Sequence, residues 1–426
     1  MPTPLANLLI QQARLIDPAT QTDVVTDVLI EQGNIKRMGN LAASDHPNVT
    51  TIDAKGLWLI PGLVDIGAPA MAFDAVATES LAAASGGVTH LAVFPSLQTT
   101  LDNTAQLRLL QERAALTDCV RLLPIAALTR SLKGEQLTDM VSLSQAGAIA
   151  FSNAQHPVIS NLTLKRCLEY ASTFDLQITV CPQDHDLSMN ACVHQGAVAS
   201  RLGLAGIPDT AETLALSRAL LLTEEAGIRL HVHHLSSAQS LPMIRQARQK
   251  GIKVTADVTI HHLLADETDI DQFDNQYYVM PPLRRTSDRE ALLSAVADGT
   301  LNGICSQHTP LSTTDKCQPF ESSVPGIAGV ETLLPLVLQL VNDGKLPLMR
   351  AIGLITHSPA DCFNLKAGRI KEGSKANLCL LNASVTQKPA DHWQSGGQNS
   401  PWRNSPLPGS VQLTVTEGHI TWQQQA

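Results

Sequence analysis

The sequence predicts an α/β protein: a parallel (β/α)8 barrel of the TIM type, with a small β-sandwich built from both chain ends. Eight apolar, strand-like runs lie between residues 59 and 309, and helical segments alternate with them. Near-continuous apolar strands are typical of a parallel sheet that is buried on both faces. Both ends of the chain are instead rich in short strands and turns, which predicts the β-sandwich.

The predicted barrel strands follow one another at regular intervals, and helices fill the segments between them. The strands are residues 59–67, 89–95, 120–128, 148–152, 177–181, 229–235, 253–260 and 301–309. Four of the helices are residues 104–116, 161–174, 210–226 and 286–298. Glycines at positions 87, 227, 251 and 299 are suited to end helices at their carboxyl caps.

Domain boundaries follow from where the β-rich ends give way to the alternating pattern. Residues 1–60 and 365–426 are predicted to form one composite β-sandwich domain, and residues 61–364 the barrel. Residues 388–408 are rich in Pro, Gly, Ser and Asn, and they are predicted to form a long surface loop.

Charge and targeting features narrow the function classes. The 30 basic and 39 acidic residues give a net charge of −9 without long runs of one sign, which disfavours a nucleic-acid or membrane partner. The N-terminal segment has no basic region followed by an apolar core, so we expect a cytoplasmic protein. The eight cysteines show no Cys-x-x-Cys pairing, and we expect most of them to be reduced core thiols.

Active sites of such barrels lie at the carboxyl ends of the strands. Residues 59–70, Leu-Ile-Pro-Gly-Leu-Val-Asp-Ile-Gly-Ala-Pro-Ala, resemble the opening of the amidohydrolase superfamily, and of dihydroorotases in particular. In dihydroorotases this segment continues with two metal-binding histidines in a His-x-His pair and an Arg that grips the substrate carboxylate. Here Gly67 and Pro69 stand at the histidine positions and Met71 at the arginine position. None of the three offers the donor that the resemblance calls for.

Strands two, four and five depart from the dihydroorotase pattern as well. Ser96 replaces an Asn that contacts substrate, and Asn153 stands where the family has a metal-bridging Lys or Asp. An amide carries no charge and is a poor bridge between two cations. Cys181 stands at the position of a metal-binding His. A cysteine can bind zinc, although a small buried strand residue is the other interpretation.

The last three strands keep histidines but lose the acid/base residue. His231 and His234 match the family's strand six, and His261 and His262 match its strand seven. Strand eight reads Ser-Gln-His-Thr-Pro, with Gln307 where dihydroorotases have the Asp that binds metal and transfers protons. Because a glutamine side chain does not exchange a proton near neutral pH, general acid–base catalysis is lost at this position. His308 follows it.

The resemblance to dihydroorotases runs along almost the whole chain, including residues 86–89, 280–284 and 326–332, so the framework is kept while the site is altered. This pattern is similar to the non-catalytic dihydroorotase-like chain that some bacteria use with aspartate transcarbamoylase. The resemblance implies a pseudoenzyme with no catalytic residue, metal or cofactor. It also implies a homodimer within a larger hetero-oligomer with the transcarbamoylase catalytic chain, needed for its assembly and activity in de novo pyrimidine biosynthesis.

An active enzyme is the alternative. His234, His261 or His262, and His308, with Cys181 as a further candidate, are predicted to project toward the barrel mouth in that case. Because zinc sites work with three protein ligands, these residues are candidates for a rearranged mononuclear site of an active amidohydrolase. Otherwise the histidines are vestigial and held by hydrogen bonds for packing.

Overall fold

A computed structural model of the chain describes residues 5–117 and 119–424. Residues 1–4, 425 and 426, which belong to the predicted composite β-domain, lie outside the described residues, as does residue 118. The amino-terminal strands are β1 (Leu8–Asp17), β2 (Thr22–Glu31), β3 (Asn34–Gly39), β4 (Thr50–Asp53) and β5 (Trp58–Pro61).

Strands and helices then alternate, as the apolar pattern predicts. The strands are β6 (Leu63–Pro69), β7 (Val88–Phe94), β8 (Arg121–Ala127), β9 (Ala150–Ser152), β10 (Ile178–Val180), β11 (Val193–His194), β12 (Gly206–Ile207), β13 (Leu230–Val232), β14 (Val254–Thr259) and β15 (Gly303–Cys305). The helices are α1 (Val76–Ser85), α2 (Thr104–Thr117), α3 (Met140–Gln145), α4 (Asn161–Thr173), α5 (His185–Ser188), α6 (Ala197–Leu202), α7 (Asp209–Ala226), α8 (Ser240–Gln249), α9 (Ile260–Leu264), α10 (Thr286–Asp298), α11 (Thr313–Lys316), α12 (Leu333–Asn342), α13 (Leu348–Gly353) and α14 (His357–Cys362).

Eight of these strands form the predicted parallel barrel within the described part of the chain. They lie in the order β6-β7-β8-β9-β10-β13-β14-β15, and each neighbouring pair is parallel. The short β11 and β12 pair with each other, apart from the barrel. The eight-stranded barrel is therefore confirmed, and it places the carboxyl ends of all eight strands at one mouth.

The first and last barrel strands are connected by backbone hydrogen bonds to residues 354 and 355 and by the buried carboxylate of Asp65. The Val64 N–H donates to the Ile355 carbonyl and the Ile304 N–H to the Leu354 carbonyl, both at 2.9 Å. Asp65 accepts hydrogen bonds from the Ser306 N–H, at 3.1 Å, and from the Ser306 hydroxyl. These bonds nearly close the barrel between β6 and β15.

The two ends of the chain form one sheet beside the barrel. Its carboxyl-terminal strands are β16 (Leu378–Gln387), β17 (Leu407–Thr416) and β18 (His419–Gln423). The order is β18-β17-β16-β5-β1-β2-β3, with β4 also paired to β1. Because β16 pairs antiparallel with β5, the two chain ends are joined in register. The predicted strand over residues 59–67 is split at Gly62, where an added Cβ would lie 2.2 Å from the Thr89 methyl group.

Residues 388–406, which we call the strap, contain a short 3-10 helix, Pro389–His392, and no strand. The prediction of a surface loop is wrong for its middle, because Ser395, Asn399 and Ser400 are buried. Asn399 Nδ2 donates to the carbonyls of Thr309, at 2.9 Å, and Gly326, at 3.0 Å. Side-chain amides thus satisfy backbone groups that a buried loop would otherwise leave without partners.

A half-buried carboxylate, Glu331, also holds the strap. It accepts hydrogen bonds from the backbone N–H groups of Gln394, at 2.7 Å, and Ser395, at 3.0 Å. Burial raises the pKa of Glu331 to about 7, because the charged form loses its hydration. The strap is therefore anchored on a group that titrates within the physiological range.

Among the described helices, none is both long and apolar enough to cross a membrane. Five of the eight cysteines are buried, as expected of core thiols.

Glu331 predicts a pH dependence of stability. Its folded-state pKa of about 7 exceeds its usual value of 4.5, so its contribution is fully present below pH 4.5 and is lost as the pH rises through 7. In the Glu331→Gln variant this loss disappears. The difference in unfolding free energy, variant minus wild type, should therefore increase by about 3 kcal/mol as the pH is raised from acid to neutral. Urea denaturation across this range checks it, and parallel pH profiles would contradict it.

The hydrogen bonds between Ser306 and Asp65 predict that Ser306→Ala destabilises the barrel. This change leaves one oxygen of the fully buried Asp65 without its hydroxyl partner, and we expect the unfolding free energy to fall by about 1–3 kcal/mol. The exposed Ser384→Ala in β16 is the matched control and should stay within about 0.5 kcal/mol. Equal urea midpoints for the two variants would show that the contact does not stabilise the barrel.

Candidate functional site

A cavity of about 240 Å³ opens at the carboxyl ends of the barrel strands. Six of the positions singled out from the sequence line it. Two lie at the end of β6, and the other four follow the ends of β7, β10, β13 and β15. They are Gly67, Pro69, Ser96, Cys181, His234 and Gln307. The structure thus brings together residues that are up to 240 positions apart in the chain. We call this cavity the mouth cavity.

The mouth cavity carries no charged side chain among the residues that line it in the described chain. Its walls are largely apolar, with Phe94, Leu97 and Met280 among the larger contributors. Burial lowers the pKa of His234, so its ring is neutral at physiological pH. The cavity therefore offers neither a carboxylate base for water nor a cation for an anionic substrate.

The space beside Gly67 is filled by its neighbours. An added Cβ at this position would lie 2.5 Å from Cys305 Sγ and 3.0 Å from His234 Nε2. Both distances are shorter than a relaxed core allows, so a larger side chain at position 67 requires Cys305 and His234 to move. Gly67 is a packing requirement as well as a missing ligand.

Gln307 spans the base of the mouth cavity. Its Nε2 donates to the Met280 carbonyl, at 2.8 Å, and lies 3.2 Å from His234 Nδ1. Gln155 Nε2 donates to the same carbonyl at 2.7 Å. The two amides hold the loop around Met280 against strands β9 and β15. Their hydrogen bonds position backbone and ring, and an amide supplies no proton-transfer group.

Asp257, on β14, is a buried carboxylate that the sequence reasoning missed. Its Oδ1 accepts the His234 N–H at 2.6 Å, and its Oδ2 lies 2.6 Å from His233 Nδ1 and 3.2 Å from His231 Nε2. A single carboxylate within the apolar run of residues 254–260 was the available signal, since a charge in a barrel strand requires partners.

The charges in this cluster are set by burial and by the shared carboxylate. Burial is the largest single influence on His231 and disfavours its charged ring, yet the combined hydrogen bonds and charge interactions with Asp257 and Cys362 outweigh it and raise the pKa of His231 to about 9. Burial lowers the pKa of His233 to about 3. Burial opposes ionisation of Asp257 too, but the adjacent histidines hold its pKa well below the usual range. At neutral pH the cluster is one ion pair with a neutral histidine beside it.

Two other predicted positions point away from the mouth cavity. Met71 is buried in the main core, and its carbonyl accepts the Thr99 hydroxyl at 3.0 Å. Asn153 is buried against Thr129. Its Oδ1 accepts a hydrogen bond from the Thr129 backbone N–H at 3.0 Å, and its Nδ2 donates to the Thr129 hydroxyl at 2.8 Å. Neither side chain lines the mouth cavity.

The expectation that His308 projects toward the mouth is wrong. Its Nε2 donates to Glu79 of α1 at 2.8 Å, and its Nδ1 accepts the Val330 N–H at 3.4 Å. His262 is also engaged, since its Nδ1 lies 2.6 Å from the Thr259 hydroxyl. His261 is buried between His262, His234 and Gln307, behind the cavity wall. Only His234 of the four candidate histidines lines the mouth cavity.

Comparison with known proteins identifies the family. A dihydroorotase-like protein from Pseudomonas aeruginosa is 42% identical over 417 residues, covering 97% of this chain and 98% of that protein. The chain belongs to the dihydroorotase-like family. A dihydroorotase from Syntrophus aciditrophicus is 36% identical over 423 residues, covering 98% of this chain and 99% of that dihydroorotase. The family model described as Dihydro-orotase-like matches residues 56–240.

The fold of this dihydroorotase-like chain is shared more widely. The solved structure of an L-hydantoinase (dihydropyrimidinase) from Arthrobacter aurescens superposes with a TM-score of 0.86 at 23% identity, covering 99% of this chain and 97% of that one. At this level of identity the likeness shows the barrel and its accompanying sheet, and nothing about chemistry.

The residues of this dihydroorotase-like chain do not fit the metal centre that the family implies. Gly67 and Pro69 have no donor atoms, and Asn153 and His308 are turned to other partners. The described residues contain two different groups of possible ligands whose donor atoms lie within 4.8 Å of one another. They are His231, His233 and Asp257, and His234, Asp257 and Cys305. Both groups share Asp257, whose oxygens already accept hydrogen bonds.

The packing at Gly67 predicts a stability cost for Gly67→Ala in this dihydroorotase-like chain. We expect the unfolding free energy to fall by about 1–3 kcal/mol, because the new methyl group overpacks against Cys305. Gly303→Ala in β15 is the matched control, since its added Cβ would meet no atom closer than 3.5 Å. In a double-mutant cycle with Cys305→Gly the cost should largely vanish. Additive costs in that cycle would refute the contact.

Proposed function

We propose that this chain is a cytoplasmic, catalytically inactive dihydroorotase homologue that serves as a structural subunit of aspartate transcarbamoylase. In this role it is needed for the assembly and activity of the transcarbamoylase in de novo pyrimidine biosynthesis, as a homodimer within a larger hetero-oligomer. The observation that carries the loss of catalysis is the uncharged mouth cavity. The choice of partner rests on the resemblance seen in the sequence.

Hydrolysis of a cyclic amide requires an activated water and a group that transfers protons. At the mouth, Gln307 holds the position of the acid/base residue and His234 is a neutral ring bonded to it. General acid–base catalysis typically contributes about a hundred- to ten-thousand-fold to a rate, and metal activation of water is a separate contribution. Among the described residues, no Lys or Arg lines the cavity to bind a substrate carboxylate. Substrate binding and the rate of amide hydrolysis are therefore both weakened.

The packing around the lost ligands supports the same proposal. Cys305 and His234 fill the space at Gly67, and Glu79 holds His308. These contacts occupy the space and the hydrogen-bonding groups that metal ligands would need, which supports a scaffold role. The relatives support it too, because two proteins that are 42% and 40% identical carry the name dihydroorotase-like protein, whereas one that is 36% identical is named dihydroorotase.

An active amidohydrolase with a mononuclear zinc site is the second candidate. The observation in its favour is the group formed by His234, Asp257 and Cys305. This set differs from the one expected from the sequence, since Asp257 of β14 and Cys305 of β15 stand in place of His261 or His262, His308 and the further candidate Cys181. Imidazole, carboxylate and thiolate are all zinc ligands.

Reconstitution tests the first candidate. We expect this chain and the aspartate transcarbamoylase catalytic chain from the same organism to co-elute from a sizing column as one large complex. We also expect carbamoyl-aspartate formation to appear only in those fractions. Transcarbamoylase trimers that are fully active alone and ignore the added chain would refute the proposal. Dihydroorotate hydrolysis by the complex would refute the loss of catalysis.

Zinc analysis separates the two candidates. For a non-catalytic subunit we expect no stoichiometric zinc in protein purified without chelators. The zinc enzyme instead predicts about one zinc per chain, lost in Cys305→Ser and kept in Cys317→Ser, whose cysteine is exposed. Stoichiometric zinc together with hydrolysis of a cyclic amide would favour the second candidate.

A further inference from the structure

A second concave surface lies at the opposite end of the barrel from the mouth. We call it the basal groove; its volume is about 890 Å³. Arg121 opens β8 and lines one side, and Ile149, just before β9, lies nearby. Residues 364–377, which lead from α14 into β16, form the other side. The basal groove therefore sits at the amino ends of the strands.

The charge of the basal groove is opposite to that of the molecule. Five basic side chains and one acidic side chain line it, whereas the whole chain has 30 basic and 39 acidic residues. The acidic residue, Glu417, accepts a hydrogen bond from Asn377 Nδ2 and lies 3.7 Å from His90 Nε2. One basic residue, Arg369, forms two hydrogen bonds to Asp361, at 2.6 and 2.7 Å.

The other four cations are available. Arg121, Lys366, Lys371 and Lys375 are exposed and form no ion pair with the residues that the structure describes. Clustered like charges without counter-charges repel one another, and an anion bound between them relieves that repulsion. Apolar side chains, including Leu123, form part of the groove floor.

We infer that the basal groove binds an extended acidic segment of a partner protein, in which apolar side chains lie between the carboxylates. Arg121 lies at the start of β8 and the three lysines are spread along the loop of residues 364–377, so the four cations fit several separate carboxylates. A compact phosphate site is disfavoured, because no helix begins within residues 364–377 to present backbone N–H groups. The negative charge of the rest of the chain disfavours long polyanions and anionic bilayers. This inference does not depend on the role proposed for the mouth.

Peptide binding to the full chain tests the inference. The probe is a short fluorescent peptide in which glutamates alternate with leucine and glycine, and its counterpart has glutamine for each glutamate. We expect saturable binding of the acidic peptide, weakened by added salt, and at least about tenfold weaker binding of the glutamine peptide. The salt dependence is measured on the wild-type chain and needs no variant.

Charge reversal locates the site. The variant Lys366→Glu, Lys371→Glu, Lys375→Glu should bind the acidic peptide at least about tenfold more weakly. The control Lys55→Glu, Lys250→Glu, Lys253→Glu changes three exposed lysines outside the groove by the same charge and should bind within about twofold of the wild type. Circular dichroism verifies that both variants fold.

Three results would overturn the inference. They are the absence of saturable binding of the acidic peptide, equal losses in the two triple variants, and tight binding of inorganic pyrophosphate by a groove that does not bind the peptide. The last result would assign the groove to a small anion.

Discussion

The buried carboxylate of Asp257 is the constraint on which the candidate site depends. A charge in a barrel core is costly unless partners replace its hydration, and here three hydrogen bonds from one neighbouring segment do so. They join β14 to the end of β13 and fix the rings of His231 and His233 and the backbone of His234. The positive φ of His234, 58°, is held by the same contact. His234, held in this way, is the ring that approaches Gly67 and Gln307.

With the rings held in this way, the mouth is ordered by packing and neutral hydrogen bonds. Cys305 and His234 close on Gly67, and Gln307 ties His234 to the Met280 carbonyl. On the far side of β15, His308 pairs with Glu79, which also accepts the Ser395 hydroxyl of the strap. His308 and Gln307 are satisfied within the protein, whereas His234 Nε2 and both ring nitrogens of His261 are buried without a hydrogen-bond partner among the described residues. The framework therefore persists although the mouth is only partly satisfied.

Much of the fold was predictable because it follows from local periodicity. All eight barrel strands, and helices such as α7 and α10, lie where the apolar pattern and the capping glycines predict them. Side-chain direction was not predictable in the same way. His308 follows a strand end, but the preceding Gln307 adopts a φ of 48°. The ring of His308 binds Glu79 of α1, which is remote in the sequence, so local patterns do not predict this partner. The polar composition of the strap predicts a surface loop, whereas Asn399 uses its amide to bind buried backbone carbonyls.

The sequence by itself determined the barrel, its family resemblance and the chemical identity of the altered positions, since residue type decides whether a donor atom or a charge exists. Only the tertiary structure decided which of those positions share a cavity, that a side chain at Gly67 has no room, and that Asp257 holds the histidines. It also gathered the cations of the basal groove from segments more than 200 residues apart. The physical reason is that burial, ion pairing and packing depend on distances between residues remote in sequence, which local patterns do not encode.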